Sequence, residues 1–320
     1  MGNLLSTSNL ATRIQSFEQI MTGLKSKAYQ PIYFLTGDEP YYIDIISNYI
    51  EKHALDESEQ SFNQSVLYGI DIKVEQILEN AKRFPMMSEK QVVIIKEAQN
   101  IKDIKNLGVL ESYIEKPLDS TILVLCYKYK KIDLRTAFGK KINNSGYLYK
   151  SEKIKDYKLG EWITRFVQSK GFKISPKNAV LISNHIGNDL SRVVNEIEKT
   201  FIHLKPGDEL SEDIIETNIG ISKDFNNFEF TDAISTKNHL KYNQIVDYFG
   251  KNQKDHPMLL SVGILYNFFI KVLILHYTKD KSKRNLASVL QINPFFVKDY
   301  LTGARNYNAR KVLKVISLLR

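Results

Sequence analysis

Two kinds of hydrophobic spacing divide this chain. Up to about residue 150, short apolar runs alternate with stretches of helical period; beyond about 155 only helical spacing is left. The runs fall at 32–35, 91–95 ("QVVII") and 121–125 ("TILVL"), with weaker ones at 62–68 and 146–149. Short, β-branched and nearly unbroken, they fit strands buried on both faces of a parallel sheet. Between them, Ile14, Phe17, Ile20, Met21 and Leu24 share one helical face, with Thr12 and Gln15 spaced as a capping box. Tyr41, Tyr42, Ile45, Ile46, Tyr49 and Ile50 line a helix that opens at Pro40, and Val74, Ile77, Leu78 and Ala81 line a shorter one. Alternating strand and helix predicts an α/β sheet with helical crossovers.

Past residue 155, Leu159, Trp162, Ile163, Phe166 and Val167 mark one helix and Pro176 begins another. Leu190, Val193, Val194, Ile197 and Phe201 mark a third within 189–203, and "KPGDELS" (205–211) reads as a turn. The apolar stretch 256–277 is interrupted by His256, Pro257, Asn267, Lys271 and His276, so it reads as a buried helix of a helical domain rather than a membrane span. Three domains are expected: α/β over 1–153, a small helical domain over 154–222, and a further helical domain over 223–320.

Charge sharpens that division. Residues 1–222 carry 29 Lys+Arg and 29 Asp+Glu, while 223–320 carry 16 and 7, so the whole excess of +9 lies in the last third. Lys281, Lys283 and Arg284 cluster in "KDKSKR"; Arg310 and Lys314, four apart, share a helical face near the end. Such an excess suits phosphate backbones or acidic protein faces. Tyr300 and Tyr307 lie nearby, where core packing is expected rather than base stacking. The single Cys126 sits inside an apolar run, which fits a buried thiol, no disulfide, no cysteine zinc site and a cytoplasmic protein. Met1-Gly2-Asn3-Leu4-Leu5-Ser6 fits the short myristoylation pattern, a weak signal on its own.

The strand at 32–35 runs into a glycine turn and a helix, where a phosphate-binding loop would sit. A P-loop needs G-x-x-x-x-G-K-[ST]. Here Gly37-Asp38-Glu39-Pro40-Tyr41-Tyr42-Ile43-Asp44 puts Tyr42 for the second glycine, Ile43 for the lysine and Asp44 for the metal-binding hydroxyl. Asp38 and Glu39 add negative charge where phosphate would lie, and Pro40 lacks an N–H. The buried strand that should end in metal-binding acids ends in Lys96-Glu97, and a salt-linked surface role is expected for Glu97. No histidine spacing or G-x-S-x-G motif supplies other chemistry. The position of a P-loop is present, and its chemistry is gone.

These pieces together resemble the delta subunit of bacterial DNA polymerase III. "PIYFLTGDEPYYID" is similar to the family's first strand and G-D-E turn, and "RFPMMSEKQVVIIKEAQNI" to its clamp-binding helix end and next strand. "IGNDLSRVVNEIEKTFIH" is similar to its G-x-D-L-x-x-x-x-N-E-I-E-K signature. "NFEFTDAIS", "HPMLLSVGILYNFFIKV" and "NPFFVKDYLTGARNY" follow in the family's order. The resemblance implies an AAA+-like α/β domain with no functional P-loop, a helical lid and an all-α collar. It implies a subunit without catalytic activity, ATP or magnesium of its own. Its partners would be the beta sliding clamp, which it opens, ATP-binding loader subunits and delta prime in a hetero-pentamer, and primed DNA. Met86 and Met87 match the pair that enters the clamp, where the family more often has Leu-Phe, and Phe84 is a third anchor or a staple on the helix end. From the residues alone, Met86 and Met87 would read as core under the sheet. The basic collar cluster would meet DNA or a neighbouring subunit. The family usually extends one helix beyond residue 320, so a truncated or unusually short form is expected. A divergent AAA+ ATPase and a basic helical DNA-binding protein remain as other readings.

Overall fold

The computed structural model describes residues 15–222, 224–254 and 256–320. The chain forms two compact units, Met1–Lys153 and Ile154–Arg320. The acylation pattern at residues 1–6, Thr12 and Ile14 lie outside the described residues.

The first unit is the expected parallel sheet. Its strands are β1 (Ile32–Gly37), β2 (Gln64–Tyr68), β3 (Gln91–Lys96), β4 (Thr121–Lys128) and β5 (Leu148–Ser151), in the order β2-β3-β4-β1-β5. Parallel neighbours require crossovers, and the helices Pro40–His53, Val74–Ala81 and Ala137–Ser145 serve. Side chains alternate between the two faces with period two. Phe34, Ile95 and Leu125 pack on the face with Val74, Ile77 and Ile142. Leu35, Ile94 and Cys126 pack on the other with Ile43, Ile46 and Ile50. Burial pushes the Cys126 thiol up to about 11, so it is an inert core group.

Local details depart from the spacing. The first helix runs Phe17–Lys25, and its capping box is Ser16 with Gln19. The buried stripe of Pro40–His53 is Ile43, Ile46, Ser47 and Ile50, so the residue at the P-loop lysine position is a core anchor. Phe62 belongs to the helix Glu57–Asn63 and is exposed; β2 starts only at Gln64.

The second unit is helical apart from a two-residue parallel pair, β6 (Lys173–Ile174) with β7 (Glu209–Leu210), the latter inside the expected turn. Residues 154–222 and 223–320, expected as lid and collar, belong to this one compact unit. An ion triad around the buried Glu229 crosses residue 222: Glu229 pairs with the half-buried Lys177 at 2.9 Å and with the half-buried Lys241. Burial alone would push the Glu229 carboxyl up, but the two lysines hold it below the usual range. The helix Met258–Tyr277 packs closely on Val297–Asn306, where a Cβ on Gly303 would come within 2.9 Å of Phe268. Among the described residues, Met258–Tyr277 is long and apolar enough to cross a membrane. The helix expected to be buried in a helical domain is buried along one side: Leu265, Phe268, Phe269 and Val272 face the core, while Met258, Leu259 and Tyr277 are exposed.

Candidate functional site

The strand order puts the carboxyl end of β1 between those of β4 and β5, with Gly37 opposite both Lys128 and Ser151. Ligands of open α/β sheets sit at such carboxyl ends. Here the place is filled by the chain itself. Gly37 has φ +142°, and a Cβ there would lie 1.9 Å from the Ser151 carbonyl oxygen, so only glycine fits. Glu39 is buried, and its carboxylate accepts a hydrogen bond from the Tyr41 N–H at 3.1 Å. A helix N-terminus favours an anion, and this one is served by its own carboxylate. Asp38 pairs with Lys131 at 2.8 Å.

The metal side is replaced as well. Lys128, at the end of β4, places its ammonium 2.7 Å from Asp44 and 2.8 Å from Glu97. Asp44 holds the position of the P-loop hydroxyl, and Glu97 follows the strand that would end in metal ligands. Burial alone would lower Lys128, but the two carboxylates hold it above the ordinary lysine range. Burial alone would raise Glu97, but Lys128 and Gln99 hold it below the usual carboxylate range. Glu97 is therefore salt-linked as expected, though partly buried rather than on the surface. Lys96 turns to Glu51 at 3.0 Å and Asn48 at 2.8 Å. Carboxylates thus hold the anion position of a P-loop, and an ammonium holds its cation position. Among the described residues, no group of three His, Cys, Asp or Glu could hold a metal ion.

Met86 and Met87 are not core. They are 63% and 104% exposed, and Phe84 is 83% exposed, so Phe84 is no staple either. They lie in a bend beyond the helix Val74–Ala81, not at its last turn. Asn63, 5% exposed, binds the Met86 backbone twice: its amide donates to the Met86 carbonyl at 2.9 Å and accepts from the Met86 N–H at 2.6 Å. Met87 has φ +53°, left-handed for a residue with a side chain.

Residues 33–152, which include both sites, match the family model for the DNA polymerase III delta subunit. The DNA polymerase III subunit delta of Bacillus subtilis is 24% identical over 309 residues, 94% of this chain and 88% of that protein. The chain is similar to the DNA polymerase III delta subunit over most of its length. The solved structure of the Bacillus subtilis DNA clamp loader delta protein covers 95% of this chain and 92% of its own, with 22% identity and a TM-score of 0.56. That likeness shows the fold, a parallel sheet with helices beyond it, as the delta resemblance implied.

The basic residues expected in the delta-like collar are only partly free and are spread over a loop and two helices. Lys281 donates to the Leu275 carbonyl and so caps the helix Met258–Tyr277. Lys283 and Arg284 are exposed in the first turn of Lys283–Leu290. Arg310 and Lys314 share an exposed face of Ala309–Leu318 with Leu313, Ser317 and Leu318. Tyr300 packs on Phe268 with ring centroids 5.0 Å apart, and the Tyr307 hydroxyl donates to the Ile234 carbonyl at 2.9 Å, so both serve the core as expected. Lys128 and Asn63 escaped sequence reasoning. The only trace of Lys128 is a lysine closing the apolar run "TILVLCYK"; Asn63 leaves none.

Proposed function

We propose that this chain is a non-catalytic clamp-loader subunit that binds a beta sliding clamp through Met86, Met87 and Phe84 and opens it for loading onto primed DNA. The carrying observation is one unit that combines three exposed apolar side chains on a tethered bend with a phosphate-loop position closed by Glu39 and Lys128. In this reading the chain holds neither ATP nor magnesium, and ATP-binding subunits and delta prime complete a cytoplasmic pentamer. The similar Bacillus subtilis chain is a DNA clamp loader delta protein, which supports the partner class.

Methionine is flexible and polarizable, and suits an adaptable apolar pocket. Burying each side chain in a partner contributes roughly 1.5–3 kcal/mol, and truncated central anchors often cost about 2 kcal/mol or more. Changing Met86→Ala together with Met87→Ala should weaken binding to the cognate clamp by at least about tenfold. Because both side chains are exposed, the melting temperature should stay nearly constant. A large drop in melting temperature, or undiminished clamp binding, would refute the assignment. Saturable micromolar ATP binding, lost on changing residues 37–44, would favour the divergent ATPase instead.

A further inference from the structure

We infer that Asn63 is a positioning residue for the partner interaction, its amide pre-forming the bend that presents Met86 and Met87. The inference rests on the clamp-binding reading of those two methionines. Residues 82–90 form neither helix nor strand. Ordering such a segment on binding costs backbone entropy at every residue, and that cost is avoided if the segment is already held.

It is held at three points. At its base, the Gln91 side-chain amide donates to the Arg83 carbonyl and to the Thr121 hydroxyl at 2.9 Å. On the far side, the Ser88 hydroxyl donates to the Lys90 carbonyl at 3.0 Å and accepts from the Lys90 N–H at 3.3 Å. Between them stands Asn63, the last residue of the helix Glu57–Asn63 and the neighbour of β2. Two elements therefore fix its position, and its amide presents one donor and one acceptor to a single residue. Pairing both the N–H and the carbonyl of Met86 restrains that residue's backbone on each side. The next residue, Met87, takes its left-handed conformation directly after this restraint. Strain of that kind persists where the surroundings over-determine it. A backbone held this way points Met87 fully into solvent instead of letting it collapse onto the sheet.

The test measures clamp affinity and amide hydrogen exchange for the full chain and for Asn63→Ala, alone and combined with Met86→Ala/Met87→Ala. Asn63→Ala should weaken clamp binding about tenfold and remove the exchange protection of the Met86 N–H. In the double-methionine background the same change should alter affinity less than twofold, because its effect travels through those side chains. Asn63→Asp keeps the acceptor and loses the donor, so it should fall between Asn63→Ala and the unaltered chain; it also serves if the alanine variant folds poorly. If Asn63→Ala binds as tightly as the unaltered chain while the methionine variant does not, the positioning role is wrong and the clamp reading stands. An equal loss in both backgrounds would assign Asn63 to general folding and likewise overturn the inference. If the unaltered chain binds no clamp, the clamp reading itself fails.

Discussion

Replacing Lys128 with methionine isolates the ion triad that stands at the metal position. The ammonium lies 2.7 Å and 2.8 Å from two carboxylates. At an effective dielectric constant of about 20, each pairing is worth roughly 6 kcal/mol of Coulomb attraction, most of it offset by desolvation. Breaking a buried pair by removing one partner costs about 3–5 kcal/mol. Here the Lys128 side chain is 10% exposed, but those of Asp44 and Glu97 are 37% and 33% exposed, and water screens what is left behind. About 1.5–3 kcal/mol is the expected loss, a drop in melting temperature of about 3–12 °C for a unit of this size. Far-UV circular dichroism during thermal unfolding reads it, and Trp162, in the second unit, supplies an internal control by fluorescence. The pH dependence is the sharper check. The Glu97 carboxyl is lowered in the folded state, so its contribution is full above the unfolded carboxylate range and is lost as pH falls through the folded value. Lys128 is raised, so its contribution is full below the unfolded lysine value and is lost only at strongly alkaline pH. The stability gap between the two proteins should therefore be widest near pH 7 and shrink below about pH 5. A gap that stays constant from pH 7 to pH 4 would show that Lys128 does not act through its pairing with Glu97, and no gap at all would show that the triad contributes nothing.

Gly37→Ala should destabilise the first unit by about 2–4 kcal/mol, because the new Cβ meets the Ser151 carbonyl and φ is positive; denaturant unfolding measures it, and a neutral result would refute the closed loop. Charge reversal at Arg310 and Lys314 in a reconstituted loader should flatten the log-affinity against log-salt slope for DNA by about 0.7–0.9 for each phosphate no longer neutralised. An unchanged slope with weakened assembly would assign that face to subunit docking.

Much of the first unit could be read from local pattern alone. β3 and β4 are unbroken β-branched runs because both faces of those strands are buried, and period and composition carry that information residue by residue. The loss of P-loop chemistry was equally legible, since it needs only eight consecutive residues. What the pattern left open was every relation between distant segments. From the residues alone Met86 and Met87 read as core, because methionine spacing says nothing about which side of a bend faces water; in the fold both are exposed, and Asn63, twenty-three residues before Met86, binds the backbone there twice. Lys281 read as one of a free basic cluster, yet it caps a helix end that only the folded turn brings within reach. In the sequence Lys128 is marked only by its place at the end of an apolar run. It meets Asp44 and Glu97 because β4 pairs with β1 on one side and β3 on the other, and strand order is a property of the packed sheet rather than of any run of residues within it.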